Sequence, residues 1–273
     1  MKKQFLVTII LSLVMANVYG QKVIVHLTSG TNVPYDASEV SEITFEEAVI
    51  ITPYTPTDDG TYHNGYEYVD LGLPSGLKWA TCNIGASASE EYGDYYAWGE
   101  TETKSDYSSD TYKWFASATV TEDGSDVTYR GYTKYMERWC SSLLGYKSFC
   151  DDKTTLEAED DVAHVKWGGN WRMPTSSELA ELNKECTWTW AMLNGKYGYK
   201  ITGPNGKYIF LPAAGDRIDS SLNDAGSLGV YCCSSLDSGF PQINECLSFN
   251  SDVHDVGGSS GRESGQSVRP VTE

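Results

Sequence analysis

The sequence predicts an α+β domain of short antiparallel strands, few helices and long loops, and three observations carry that expectation. Short runs of alternating apolar and polar residues are bounded by turn residues, as where Pro74-Ser75-Gly76 leads into Leu77-Lys78-Trp79-Ala80-Thr81-Cys82-Asn83-Ile84. Tyr, Trp and Gly are abundant, while helical periodicity is short-ranged. Two rigid motifs, Gly169-Asn170-Trp171-Arg172-Met173-Pro174-Thr175 and Gly265-Gln266-Ser267-Val268-Arg269-Pro270-Val271, frame the last third of the chain and imply one compact domain whose C-terminus is built in.

Taken in order, Met1-Lys2-Lys3, the apolar run from Phe5 to Met15 and Val18-Tyr19-Gly20 read as a secretory signal peptide over residues 1–20. That run is short for a membrane span, and no later segment reaches the roughly 18 to 20 apolar residues a span needs. The mature chain is therefore expected in the periplasm, at the outer-membrane surface or secreted, with no transmembrane segment. No Cys sits at the cleavage site for a lipoprotein-type anchor. Residues 21–50 read as a small β segment, with a hairpin from Lys22 to Tyr35 around Ser29-Gly30 and a further strand at Ile43-Thr44-Phe45. Pro, Thr, Asp and Gly without an apolar period mark 51–65 as a linker, and 66–273 as the main domain.

Within that domain, residues 100–132 read as a long irregular Ser/Thr/Asp-rich loop with scattered aromatics. A short helix is expected from Asp160 to Trp167. A second is signalled more strongly, because Thr175 and Glu178 form a capping box ahead of Leu179, Leu182 and Cys186 at helical spacing. Tyr199-Lys200-Ile201-Thr202 and Tyr208-Ile209-Phe210-Leu211 flank Gly203-Pro204-Asn205-Gly206 as a hairpin.

Charge narrows the partners. Without Lys2 and Lys3, 18 basic residues face 38 acidic ones, a formal charge of −20 instead of −18. Such a surface repels phosphate backbones, so nucleic acid is a poor partner. The seven Cys are an odd number for an oxidising compartment, which leaves at least one thiol free or intermolecular. Cys140 and Cys150 would close a short local loop.

Four stretches, Val69 to Asn83, Trp167 to Thr175, Ile209-Phe210-Leu211-Pro212-Ala213-Ala214-Gly215 and Ser267 to Val271, together resemble the Fibrobacter succinogenes major paralogous domain family of exported Bacteroidota proteins, which is related to the Lcl C-terminal domain. The Trp-Arg-Met-Pro-Thr-x-x-Glu-Leu stretch also looks like a motif of the formylglycine-generating group, and the resemblance implies a C-type-lectin-like fold. Fold-level likeness transfers no activity. Where that family has Tyr-Trp-Ser-Ser-Ser, this chain has Tyr231-Cys232-Cys233-Ser234-Ser235. Cys246 stands one strand further on, to pair with Cys232 or Cys233 but not both, since adjacent residues of a strand face opposite ways; Cys233 is the candidate taken. Cys82 and Cys186 lie in family-like stretches, which makes them the second expected pair. Residues 237–264 are Asn-rich in the family. Here they carry Asp, Gly, Phe, Ile, Cys, Val, His and Ser, each reachable from an Asn codon by changing adenines, the pattern that diversity-generating retroelements leave on binding domains.

The function expected is an exported non-catalytic module that binds a glycan or protein through loops 100–132 and 237–264. Its candidate contacts are Tyr112, Trp114, Asn244, His254 and Asp255, because aromatic faces stack on sugars and peptide side chains at little entropic cost. A structural surface component without a specific ligand is the alternative, and a retroelement-diversified adhesin a further one. No catalytic residue or cofactor is expected, since the four His lie in no catalytic pattern. Asp160 and Asp161 are the weak candidates for calcium, set against the reading of an acidic helix start that the helix dipole favours.

Overall fold

The structure, a computed structural model, describes residues 22–26, 32–36, 61–137, 151–237 and 239–273. The chain divides into two units, Met1–Glu47 and Ala48–Glu273. In the first, β1 (Lys22–His26) pairs antiparallel with β2 (Asn32–Asp36), Lys22 opposite Asp36. This is the expected hairpin. The signal peptide and the strand expected at Ile43-Thr44-Phe45 lie outside the described residues.

Among its described residues the second unit is mostly antiparallel strands with two short α-helices. It opens with β3 (Thr61–His63) and β4 (Tyr66–Asp70), joined by Asn64-Gly65 at φ 48° and 85°. Both residues of a tight two-residue turn need positive φ, which Asn-Gly accepts readily. The segment read as a linker to residue 65 therefore ends as a strand and turn. β5 (Lys78–Ala80) pairs with β4, and the C-terminal β16 (Val271–Thr272) pairs with β5, giving the order β16-β5-β4-β3. The predicted strand from Leu77 is thus real but short.

The two framing motifs touch each other. Arg172 and Val271 exchange backbone hydrogen bonds of 3.1 and 2.9 Å. The Arg269 side chain, 1 % exposed, donates Nε to Asn83 Oδ1 at 2.9 Å, Nη1 to the Ala80 and Thr81 carbonyls at 3.0 Å each, and Nη2 to the Phe210 carbonyl at 2.9 Å. One guanidinium thereby ties together three of the four stretches that carry the family resemblance. Burial pulls its pKa below the ordinary arginine value.

The stretch 100–132 is not one irregular loop. Its second half is a two-stranded ribbon, β6 (Phe115–Glu122) with β7 (Ser125–Tyr132), turned by Asp123-Gly124 at φ 49° and 80°. Its alternation, Ala116, Ala118 and Val120 against Ser117, Thr119 and Thr121, uses small apolar residues within a Ser/Thr/Asp-rich stretch, and an apolar-pattern search passes over it.

Helix α1 (Val162–Trp167) is capped by Asp161, and α2 (Ser176–Glu185) by Thr175, with both hydrogen bonds of the capping box present. Leu179 and Leu182 bury its apolar face. Glu178 also receives Arg172 through two hydrogen bonds of 2.6 and 2.8 Å. Burial alone would raise the Glu178 carboxyl; Arg172 and the Thr175 amide outweigh it and hold the carboxyl below its ordinary value. A depressed carboxylate stabilises the fold above its unfolded pKa and loses that contribution as the pH falls through the folded value. Glu178→Gln is therefore expected to cost about 1 kcal/mol at pH 7 and progressively less below about pH 4.5, checked by urea titrations at both pH values.

Three further sheets complete the unit. β8 (Thr187–Leu193), β9 (Lys196–Thr202) and β10 (Tyr208–Pro212) run in the order β10-β9-β8, including the predicted β9–β10 hairpin. β11 (Asp216–Ile218) pairs with β12 (Ser221–Asn223), and β13 (Gly229–Leu236), β14 (Ile243–Phe249) and β15 (His254–Gly261) form a meander. Residues 237–264, expected as a display loop, are thus largely two paired strands. Asn244, Leu247, Phe249 and Arg262 face inward, which leaves outward positions such as Val253 and Asp255 exposed. One core cluster gathers Trp79, Leu182, Ile201, Leu211, Tyr231 and Phe249; another gathers Trp98, Tyr135, Trp171, Met173 and Cys232.

Candidate functional site

The loop aromatics chosen from the sequence are structural. Tyr112 is 3 % exposed, and its hydroxyl donates to the Trp98 carbonyl at 2.6 Å while accepting from Arg262 Nε at 3.1 Å. Trp114 is partly buried, donates Nε1 to the Gly99 carbonyl at 3.1 Å, and is covered by the ammonium groups of Lys113 and Lys134 at 4.2 and 5.1 Å from its ring centre. Asn244 is fully buried and exchanges amide hydrogen bonds with Gln266 at 3.0 and 2.9 Å. These three are corrected from ligand contacts to internal supports, because aromatic and amide groups in a strand-rich domain are drawn inward wherever a backbone carbonyl can satisfy them.

Asp255 is exposed and His254 half-buried, and His254 belongs to a larger construction. On one face of β8 and β9, Trp188 lies opposite Ile201, Trp190 opposite Tyr199 and Met192 opposite Tyr197. Tyr199, 5 % exposed, is the keel: its ring meets Trp188 at 5.3 Å and 73°, and Trp190 at 5.1 Å and 75°. Phe249 packs behind it at 5.4 Å, in space left open because Gly229 across the strand pair has no side chain; a Cβ there would fall 2.1 Å from the Phe249 ring. Above this base the Trp190 and Tyr197 rings are parallel within 6° at 6.1 Å, and His254 stacks on Trp188 at 4.5 Å and 9°. Trp188, Trp190 and His254 are half-buried and Tyr197 is 41 % exposed.

The result is an aromatic shelf on the edge strand of a sheet, held by the main core beneath it. His254 Nδ1 lies 2.6 Å from Asn183 Oδ1 of α2, an acceptor that fixes the neutral ring's proton on Nδ1. Burial, opposed by Asp255, lowers the His254 pKa, so the ring is neutral near pH 7. Burial and the Asp252 carboxylate push the Tyr199 phenol up, and its hydroxyl lies 3.4 Å from the Ser251 carbonyl. Asn183 thus lies against His254, and the Ser251 carbonyl against the Tyr199 hydroxyl. The cavity lined by Val69, Leu193, Tyr208 and Phe210 holds about 10 Å³, at the limit for one water, and none of the shelf residues lines it.

No family model, curated protein or solved structure matches this chain.

The two calcium candidates do not share a site. Asp161 accepts the Ala163 and His164 amides on one oxygen and the Met173 amide on the other, and burial raises its pKa despite them. Asp160 joins Glu157 and Glu159, the acidic group whose ligand atoms lie within 4.8 Å of one another, but Lys134 already holds all three carboxylates at 2.6 to 3.3 Å. Burial would raise the Asp160 carboxyl; the hydrogen bonds from Lys134, Tyr135 and Lys113 lower it instead. An ammonium ion thus sits where a cation would be recruited. Millimolar calcium is expected to leave the melting temperature unchanged, and a saturable upward shift in calorimetry would contradict this assignment.

The expected disulfides are not formed among the described residues: Cys82, Cys186, Cys232, Cys233 and Cys246 are free thiols. Cys82 packs against the cluster around Trp98 and Cys186 against the cluster around Trp79, so these two do not meet. Cys233 and Cys246 face opposite sides of the β13–β14 pair, Cys233 donating to the Glu245 carbonyl at 3.0 Å and Cys246 to the Gly258 carbonyl at 3.1 Å. Cys140 and Cys150 lie outside the described residues. Burial pushes Cys186 up to about 11, and Cys233 and Cys246 up to about 12, the opposite of what a thiolate nucleophile requires.

Proposed function

We propose that the chain is an exported, non-catalytic module that binds a glycan on the shelf formed by Trp188, Trp190, Tyr197 and His254. The observation that carries this reading is two stacked pairs of part-exposed aromatic rings, Trp190 with Tyr197 and Trp188 with His254, seated on a packed core, with the Asn183 amide beside the imidazole. Pyranose rings present one apolar face and a rim of hydroxyls, and such a shelf is complementary to both. Two-torsion aromatic side chains already packed on a core lose little freedom on binding. The acidic surface suits a neutral or cationic ligand better than an anionic one. Raised thiol pKa values and an imidazole engaged by Asn183 support a binding role over catalysis.

Export rests on the charged start and apolar run of residues 1–20; among the described residues no helix is long and apolar enough to cross a membrane. The ordered motifs clamped by Arg269 support kinship with the paralogous-domain family and, through it, a C-type-lectin-like fold. The decisive test is a glycan array probed with the mature protein and with Tyr197→Ala. Saturable binding that the substitution removes is expected; binding by neither protein would sink the proposal.

One observation favours the alternative of a structural surface component. Among the described residues the ribbon β6–β7 has no third strand, and open edges invite pairing with another chain. Light scattering of the mature protein with and without the ribbon tip separates the two readings. Retroelement diversification would act on outward positions of β15 and its preceding turn; flanking DNA without a template repeat and a reverse transcriptase removes it.

A further inference from the structure

Three buried thiols, those of Cys232, Cys233 and Cys246, lie on two paired strands, and the register sorts them. Cys232 is directly opposite Cys246, while Tyr231 is opposite Leu247. Tyr231, Cys233 and Leu247 all enter the core cluster around Trp79, so Cys232 and Cys246 share the other face of the sheet. The Cys232 amide donates to the Ser267 carbonyl at 2.9 Å, away from β14. The pair Cys232–Cys246 is therefore a non-hydrogen-bonded one, whose Cα atoms sit about 4.5 Å apart, within the roughly 4.4 to 6.8 Å that a cystine spans. Each sulfur now rests on a carbonyl, Cys232 on that of Cys233 at 3.5 Å and Cys246 on that of Gly258 at 3.1 Å. Directly opposed residues of such a pair project from the same face of the sheet, the arrangement a cross-strand cystine needs.

We infer that the exported chain carries a cross-strand disulfide between Cys232 and Cys246, and that Cys233 stays a thiol on the opposite face. The inference rests on the export reading for its oxidising surroundings. The chemistry is thiol–disulfide exchange with a disulfide oxidant. One of the two cysteines, as thiolate, opens the oxidant's S–S bond to give a mixed disulfide; the other then displaces the oxidant's second sulfur. Two electrons and two protons leave the cysteine pair, and the oxidant's disulfide becomes two thiols. Because the folded thiols are buried and held protonated, the bond forms while the strands are still assembling, and the folded reduced protein oxidises slowly. The cystine then staples β13 to β14, the strand whose last residue, Phe249, supports the aromatic shelf.

The test refolds the full mature chain, carrying Cys140→Ser and Cys150→Ser, from denaturant in a buffer of reduced and oxidised glutathione. Unreduced digests are then mapped by fragmentation mass spectrometry, which assigns the link to one of the two adjacent cysteines. A peptide joined through Cys232 and Cys246 is expected, retained in Cys233→Ser and lost in Cys232→Ser. Reduction should lower the melting temperature of the linked proteins by about 5 to 10 °C and leave Cys232→Ser unmoved. A link through Cys233, or free Cys232 and Cys246 in the refolded protein, overturns the inference. Oxidation in the test tube does not depend on export, which cell fractionation and the mature N-terminus decide separately.

Discussion

Arg269→Met is expected to destabilise the main unit by about 4 kcal/mol, the largest effect of any single substitution proposed for this chain. The guanidinium is fully enclosed and its four hydrogen bonds end on two separate stretches, 80–83 and Phe210, both largely buried away from water. Each buried acceptor left without a partner costs about 1 to 3 kcal/mol, and relaxation around the smaller side chain recovers part of the sum. Arg269→Lys should fare little better, since one ammonium cannot reach four acceptors arranged for a planar fork. Urea titration should show a lower midpoint with an unchanged slope, and the melting temperature should fall by roughly 8 to 16 °C. A loss under about 1 kcal/mol for Arg269→Met would show that the four contacts are not made together.

Trp190→Ala is expected to weaken glycan binding by about 30-fold, the loss of roughly 2 kcal/mol typical of an aromatic anchor at an interface centre. Tyr197→Ala, at a 41 % exposed position, should lower affinity with little change in stability. Trp188→Ala should lower both, because its ring is packed between His254, Tyr199 and Phe249. Tyr112→Phe and Trp114→Ala provide the contrast: they remove internal contacts, so stability should move and affinity should not. Calorimetric titration with an array-selected glycan checks all five. Affinity lost with Tyr112→Phe but retained with Trp190→Ala would return the site to the loop read from sequence.

The sequence revealed features that one residue's chemistry decides locally. Thr175 and Glu178 announce a capped helix because both capping hydrogen bonds lie within four residues. Gly203-Pro204-Asn205-Gly206 announces a hairpin because the turn conformations need those residues. The same logic applied to Asn64-Gly65 and Asp123-Gly124 would have found β3–β4 and β6–β7, whose polar strands concealed them. Trp188 and Trp190 were legible too, as an alternating pair in Thr187-Trp188-Thr189-Trp190-Ala191, but alternation says only that they share a face.

Which face is wet depends on what packs against it, and for these rings that is Tyr199, Phe249 and the stacked His254, brought from three strands. The same holds for Tyr112 and Asn244. As sequence they are an aromatic in a polar stretch and an Asn in a variable one; in the fold they are sealed by Trp98, Arg262 and Gln266. Local rules act over a few residues, where hydrogen-bond reach and strand alternation suffice, and they identified the helices, the β1–β2 and β9–β10 hairpins and the two framing motifs. Burial, disulfide partners and the binding surface follow from strand register between segments far apart in the chain. A shift of one position would turn Cys233 instead of Cys232 toward Cys246 and send the shelf inward, so only the packed tertiary structure could choose.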